Sequence, residues 1–379
     1  MTTPRTIALF HPALIHGGIQ RVFANLARGF AERGFRVDLV QATDSGDFRP
    51  ALPPSVRLVN LHARRALTSV PPLVRYLRHE RPTALISGAV QTNVMAVIAR
   101  RLAGVPVRLL LTEHNYITST TLHADTWRGR MTPAFIRWFY PHADEIVAVS
   151  HSIADELARA TGLNRERIRV IYNPVLLPEL ESLSRQPIHQ PWFRSGEPPV
   201  ILAVGRLTAA KDYPTLLQAF RELRHRHRAR LLILGEGEER AELESMVMEL
   251  GLKDDVALPG TVANPYPYMR SAALFVLSSR FEGLPTVLVE ALALGARVVA
   301  TDCTSGPAEI LGTREGLVPV EDVPALASAM SSALDGPRLS ATPPALERFH
   351  LHASTAAYLE VLGVLDQART APTDASTLS

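Results

Sequence analysis

Apolar residues fall along this chain in short unbroken runs, separated by longer stretches in which they recur every three or four positions. The runs are Ile7–Phe10, Phe35–Gln41, Ala84–Ser87, Val107–Thr112, Ile146–Ser150 and Ile168–Ile171, then Val200–Val204, Leu231–Leu234, Val256–Leu258, Leu274–Leu277 and Val298–Thr301. Runs this short read as strands, most of them without polar alternation and so covered on both faces; Phe35–Gln41 includes Arg36 and Asp38. Helices are predicted between them: from Gly17-Gly18 to about Arg33, where Gly34 stops the pattern, and at about Tyr213–His225, Arg240–Leu250, Thr286–Leu294, Val323–Leu334 and Ser354–Gln367. Strand–helix alternation predicts parallel sheets with helices on both faces, an α/β fold. The alternation stops over 174–199, a stretch of Pro, Ser and Gln without period that reads as a linker, and then restarts. Two doubly wound Rossmann-like domains are therefore expected, 1–180 and 195–345, followed by a helical segment 346–367 and a polar tail 368–379 expected to be disordered. Ligands of such sheets bind beyond the carboxyl ends of the strands, so two of them facing each other would frame a cleft.

Composition narrows the class. At 379 residues, 46% hydrophobic and 20% charged, the chain is an ordinary globular one, long enough for more than one core. It has no apolar run of transmembrane length, and its first residues lack the pattern of a secretory leader, so a cytoplasmic location is expected. The single cysteine, Cys303, allows neither an internal disulfide nor a multi-cysteine metal site. Charge is uneven: residues 1–190 hold 23 basic against 14 acidic side chains, and 191–379 hold 17 against 23. The basic half would suit an anionic lipid surface or a pyrophosphate-linked acceptor, or it is simply an Arg-rich surface. Its aromatic and basic residues form no nucleic-acid-binding module, so no nucleic-acid partner is expected. Only Lys211 and Lys253 are lysines among the 40 basic residues, which draws attention to a compact ammonium where one appears.

Candidate chemistry lies in the loops after the strands. In Glu282-Gly283-Leu284-Pro285-Thr286 the chain leaves a strand and starts a helix that runs through Glu290. Free N–H groups at that start favour an anion, and the two carboxylates suit hydroxyl groups at two ends of one ligand, a sugar and a ribose. The alternative is two unrelated glutamates at a helix margin. In Gly205-Arg206-Leu207-Thr208-Ala209-Ala210-Lys211 two cations flank one loop and can neutralise a departing diphosphate, unless they are solvated surface charges. Gly17 and Gly18 open the first helix without a bulky side chain, as a phosphate-approaching turn or a plain one. Gly235-Glu236-Gly237-Glu238 has acids that would repel phosphate, so a turn against a nucleobase fits better. His114, in Thr112-Glu113-His114-Asn115, stands at a strand's carboxyl end, where it would bond a sugar hydroxyl or shape a pocket. The stretch from Trp127 to Tyr140 mixes aromatics with Arg and reads either as a membrane-interface element or as a packed helix.

These segments taken together resemble glycosyltransferase family 4, of GT-B fold. The resemblance rests on GGIQRV at 17–22, TEHN at 112–115, IVAVSHSIADEL at 146–157, VIYNPV at 170–175, ILAVGRLTAAKDYPTLLQAF at 201–220 and LFVLSSRFEGLPTVLVEALALG at 274–295. It implies a retaining, metal-independent transferase without a cofactor. Its donor would be a nucleotide-sugar, a UDP-hexose or UDP-N-acetylhexosamine by preference, and its acceptor a lipid-linked or surface oligosaccharide, with possible peripheral membrane association. By position, Arg206 and Lys211 match the family's diphosphate cations, Glu282 the sugar-contacting carboxylate, Glu290 the ribose-holding one, Gly18 the glycine near the phosphates and His114 the histidine of the sugar pocket. Gly17, Gly205, Glu236, Gly237, Val262, Gly283, Leu284, Pro285 and Thr286 complete the implied donor site. The resemblance also implies that the last helix packs back onto the N-terminal domain. A nucleotide-sugar epimerase and a non-catalytic nucleotide-sugar-binding protein are the other readings on the same fold.

Overall fold

In the computed structural model, which describes residues 5–13, 18–43, 52–118, 130–304, 306–314, 316–336 and 346–364, the chain divides into two compact units. One is Met1–Pro174 with His350–Ser379, the other Val175–Phe349.

The first unit is built on a seven-stranded sheet of β1 (Thr6–His11), β2 (Arg36–Gln41), β3 (Val56–Asn60), β4 (Ala84–Gly88), β5 (Arg108–Glu113), β6 (Glu145–Ala148) and β7 (Ile168–Val170), in the order β3-β2-β1-β4-β5-β6-β7. Every pairing is parallel, with Leu9 of β1 level with Leu39 on one side and Ile86 on the other. The order reverses between β1 and β4, so loops leaving those two strands diverge and leave room at their carboxyl ends. The helix Gly18–Glu32 turns Val22, Phe23, Leu26, Ala27 and Phe30 into the core, a spacing that keeps them on one face. The helix Leu351–Val361 covers the same core, adding Tyr358 and Leu359, with Tyr358 edge-on to Phe30 at 6.4 Å. The two helices approach closely at Gly29, where an added Cβ would lie 2.3 Å from Thr355 Oγ1.

The second unit has five strands, β8 (Val200–Val204), β9 (Arg230–Leu234), β10 (Val256–Gly260), β11 (Leu274–Leu277) and β12 (Val298–Ala300), in the order β10-β9-β8-β11-β12. They too pair in parallel, and the reversal falls between β8 and β11. Its core gathers Ile201, Leu216, Phe220, Leu231, Val276, Leu326 and Met330. Each such side chain removed from water stabilises the unit by roughly 1.5–3 kcal/mol.

The structure departs from the sequence expectation in three places. Strand β3 was not foreseen: its burial runs Beeii along Val56–Asn60, the pattern of a half-exposed edge strand rather than an apolar run. The expected linker 174–199 is ordered from Val175 onward within the second unit. It holds a short helix, Leu180–Ser184, fastened by Arg270 to Glu181 at 2.9 Å and by the Asn264 amide to Leu183 O at 2.9 Å. The last helix begins at Leu351 and is described to Val361, earlier than the expected Ser354–Gln367. The expected disordered tail lies outside the described residues.

Candidate functional site

In the second unit the loops that follow β8 and β11 leave adjacent strands at the point where the strand order reverses, and they carry the site. After β8 the chain turns at Gly205, passes a 3-10 turn at Ala209–Lys211 and enters the helix Tyr213–Leu223. The Lys211 stem crosses Gly205 so closely that a Cβ there would lie 3.0 Å from Lys211 Cε and 2.9 Å from the Tyr213 hydroxyl. Its ammonium meets Glu282 Oε1 at 2.5 Å, and the Ser279 hydroxyl donates to the same oxygen at 2.6 Å. Ser279 is held in turn by Thr301, whose hydroxyl donates to Ser279 O at 2.6 Å. Lys211 and Glu282 are 18% and 12% exposed, so their pairing is shielded but reachable. Burial, reinforced by the Glu282 charge, pushes the neighbouring Tyr213 hydroxyl well above its ordinary pKa and keeps it neutral.

Beyond Glu282 the chain passes Gly283, Leu284 and Pro285 and starts the helix Thr286–Ala293, whose first turn has neither an acid nor a side-chain cap. Glu290 lies in this helix but is fully buried, and the Tyr266 hydroxyl donates to its Oε1 at 3.2 Å. Of the two carboxylates expected to reach two ends of one ligand, Glu282 is 12% exposed and Glu290 is buried. Arg206 lies in the same loop as Lys211. Its guanidinium is 74% exposed and pairs with Glu238 at 3.2 Å, so Lys211 alone of the two cations stands against Glu282.

The turn after β9 packs backbone to backbone on the turn after β8. Gly235, at φ 152°, would place a Cβ 1.9 Å from Gly205 O, and Gly237 would place one 2.2 Å from Leu207 O. Leu207 N donates to Glu236 O at 2.9 Å. The Glu236 carboxylate is engaged by both arms of Arg240 at 2.7 Å, which lowers its pKa, so what this turn offers a ligand is backbone rather than charge. Val262 lies half-buried between β10 and the helix Tyr266–Ser271.

In the first unit, Gly18 is the first residue of its helix and exposed, with no atom of the other described residues within 4 Å of a would-be Cβ. Gly17 lies outside the described residues. His114 follows β5 and is 7% exposed. Its Nε2 is 3.0 Å from Thr112 Oγ1, which is also 3.0 Å from Ser87 O. The Thr112 hydroxyl has a single proton, and a carbonyl can only accept. Both contacts are hydrogen bonds when Thr112 donates to Ser87 O and His114 donates from Nε2, which leaves Nδ1 as the acceptor. Burial lowers the His114 pKa to about 4, so the ring is neutral at physiological pH. Phe23 stands between His114 and His11, at 6.2 Å and 6.0 Å, and burial also lowers His11 to about 4. Of the Trp127–Tyr140 stretch, the described part holds the helix Thr132–Phe139, which buries Ile136 and leaves Trp138 62% exposed.

Sequence reasoning missed Ser279 and Tyr266, which bond Glu282 and Glu290 directly, and Thr301, Arg280 and Asp212, which lie one contact further out. Asp212 stands inside a quoted motif, and an acid directly after the sole lysine of that loop is a usable signal. Hydroxyl partners such as Ser279 and Thr301 carry no spacing that marks them.

Two family profiles divide the chain between them: Glycosyltransferase Family 4 matches residues 16–177 and Glycosyl transferases group 1 matches residues 184–345. Among curated relatives, an uncharacterized glycosyltransferase of Methanocaldococcus jannaschii is 31% identical over 46% of this chain and 44% of its own length. The N-acetylgalactosamine-N,N'-diacetylbacillosaminyl-diphospho-undecaprenol 4-alpha-N-acetylgalactosaminyltransferase of Campylobacter jejuni is 30% identical over 65% of this chain and 66% of its own. The amylovoran biosynthesis glycosyltransferase AmsD of Erwinia amylovora is 27% identical over 78% and 80%. The chain thus spans from under half to four-fifths of the relatives it matches. Among solved structures, sucrose-phosphate synthase of Thermosynechococcus elongatus superposes with a TM-score of 0.76 at 20% identity, over 96% of this chain and 100% of that one. HepE of Anabaena, in complex with UDP-glucose, gives 0.71 at 20% over 96% and 98%.

Proposed function

The chain belongs to glycosyltransferase family 4, of GT-B fold, and from that premise we propose that it moves a hexose or N-acetylhexosamine from a UDP-sugar to a lipid-linked or surface oligosaccharide, with retention at the anomeric carbon. The observation that carries the reading is the Lys211–Glu282 pair at the sheet's reversal point, beside the uncapped start of Thr286–Ala293. That is one cation for a diphosphate, one carboxylate for sugar hydroxyls and a helix start for an anion, within one pair of loops.

In this reading Lys211 answers the charge that grows on the diphosphate as the glycosidic bond breaks, which stabilises the transition state more than the bound donor. Glu282, relieved of Lys211 by the diphosphate, accepts hydrogen bonds from the sugar. Arg206 reaches the diphosphate by exchanging Glu238 for it, a change within reach of an exposed side chain. The diphosphate leaves from the face that the acceptor hydroxyl enters, and a phosphate oxygen takes the hydroxyl's proton. His114 offers Nδ1 as acceptor to a hydroxyl at the edge of the sugar. No metal is required. The Campylobacter relative's name gives a diphospho-undecaprenol substrate, and HepE was solved with UDP-glucose; these support the acceptor and donor classes. No described helix is long and apolar enough to cross a membrane, and the chain meets a lipid-linked acceptor at the cytoplasmic surface, as a peripheral protein.

A melting-temperature panel with UDP-, GDP-, ADP- and TDP-sugars tests this. A UDP-sugar at a hundredfold over its Kd is expected to stabilise wild type by about 2.7 kcal/mol, a rise on the order of 5 °C, and to leave Lys211→Ala unmoved. A shift with another nucleotide alone would overturn the donor class. Release of an altered sugar without any acceptor would replace transfer with epimerisation.

A further inference from the structure

The loops carrying Lys211 and Glu282 are joined by more than that ion pair. The Ser278 hydroxyl donates to Lys211 O at 2.8 Å, and the Arg280 amide donates to Ala210 O at 2.8 Å. The Arg280 side chain then reaches two carboxylates: Nη2 donates to Asp212 Oδ1 at 3.2 Å, and Nε lies 3.0 Å from Glu321 Oε1.

Both of those acids have left-handed backbone, Asp212 at φ 49° and ψ 48°, Glu321 at φ 60°. Asp tolerates that region and Glu does so poorly; either persists when its surroundings fix it. Asp212 has a fully buried side chain, and the cation set against it is Arg280. A buried carboxylate deprived of its cation is strongly disfavoured. The position of Asp212 gives this a consequence. It is the residue after Lys211, and its left-handed turn ends the 3-10 turn, begins the helix Tyr213–Leu223 and sends the Lys211 stem across Gly205 to Glu282.

We propose that Arg280 is a positioning residue of the donor site, which by holding Asp212 and Glu321 fixes the backbone turn that aims Lys211 at the diphosphate and keeps Glu282 beside it. The proposal rests on the transferase reading for what Lys211 binds, but not for the coupling of Arg280 to Lys211. A guanidinium suits the task because its planar fork faces two acids at once; a lysine ammonium answers one of them.

The test uses the full chain and the variants Arg280→Ala, Arg280→Lys and Arg280→Ala with Asp212→Gly. Lys211 and Lys253 are the only lysines, so the side-chain ammonium signals in a nitrogen-15 NMR spectrum are assignable by loss in Lys211→Arg. In Arg280→Ala the Lys211 signal is expected to shift and broaden, calorimetric affinity for UDP to fall, and kcat to fall with it, by about tenfold to a hundredfold for a misplaced group. Arg280→Lys is expected to be intermediate. In the double variant, glycine adopts the left-handed turn freely and no buried acid is left without its cation, Glu321 being 57% exposed to water, so most of the UDP affinity returns. If Arg280→Ala lowers only the melting temperature and leaves the Lys211 signal, UDP affinity and kcat unchanged, Arg280 is structural and the proposal falls. If Arg280→Ala does not fold, the Arg280→Lys and double variants decide by the same readouts. If wild type binds no UDP, the donor reading fails by itself, and the Lys211 signal still decides whether Arg280 positions it.

Discussion

Glu113, immediately before His114, shows how one buried residue sets a pH response. It is wholly enclosed; the Asn93 amide donates to its Oε1 at 2.9 Å and the Tyr140 hydroxyl donates to the same oxygen. Burial raises its pKa to about 7, with the Glu156 charge adding to the rise, while the bonds from Tyr140 and Asn93 oppose it. The folded chain therefore holds a proton that the unfolded chain has released. This contribution to stability is complete below pH 4.5 and is lost as pH rises through 7; a shift of that size is worth on the order of 3 kcal/mol. His11 and His114 act in the opposite sense, since pKa values of about 4 make their contribution complete above 6.5 and lost as pH falls through 4. Glu113→Gln isolates the first effect. Its urea midpoint relative to wild type is expected to rise between pH 5 and 7 and to level off above, and a difference that stays constant across the series would refute the assignment. The sequence signalled His114 by its place after a strand. Nothing in it marked Glu113 as a perturbed group, because Asn93 and Tyr140 come from distant segments.

At the scale of elements, loop geometry decides what the site can hold. The turn after β9 lies on the turn after β8 with no room for a side chain at Gly235. Gly235→Ala would drive a methyl group into the Gly205 carbonyl and is expected to destabilise the second unit by about 2–3 kcal/mol. The accompanying loss of nucleotide-induced stabilisation can be read from melting curves, and a variant that keeps both its melting temperature and its nucleotide shift would show that the two turns move apart freely. Such loops were legible as motifs, since glycine, lysine and glutamate stand at fixed offsets after apolar runs. The strands were legible for a related reason: buried parallel strands are continuous in apolar residues. Strand β3 escaped because it is short, half-exposed and holds only three apolar residues, and Leu180–Ser184 escaped because a short helix held by Arg270 and Asn264 has no period of its own.

At the scale of the molecule, the first unit is completed by a helix that follows the second unit in sequence. Tyr358 is central to that join, fully buried and edge-on to Phe30. Tyr358→Ala is expected to cost about 3–5 kcal/mol. Among the described residues its buried hydroxyl has no hydrogen-bond partner, so Tyr358→Phe should be neutral or stabilising by about 1 kcal/mol, and chemical denaturation of the pair separates packing from polarity. A Tyr358→Phe variant less stable than wild type would mean that the hydroxyl is satisfied after all. Two-domain architecture was legible from the restart of the strand–helix pattern. The return of the last helix was expected from the family resemblance alone, for a single amphipathic helix does not state which core it covers.

That return inverts the order in which the chain can fold as it is made. Tyr358, Leu359, Leu362 and Val364 share a core with Ile7, Leu9 and Phe30, and all of Val175–Phe349 is synthesised in between. At bacterial or eukaryotic elongation rates that interval lasts about 10–30 s. Through it the emerging chain carries an open apolar face on its first helix, its second unit can be complete before its first, and the nascent protein depends on whatever shields that face at the ribosome.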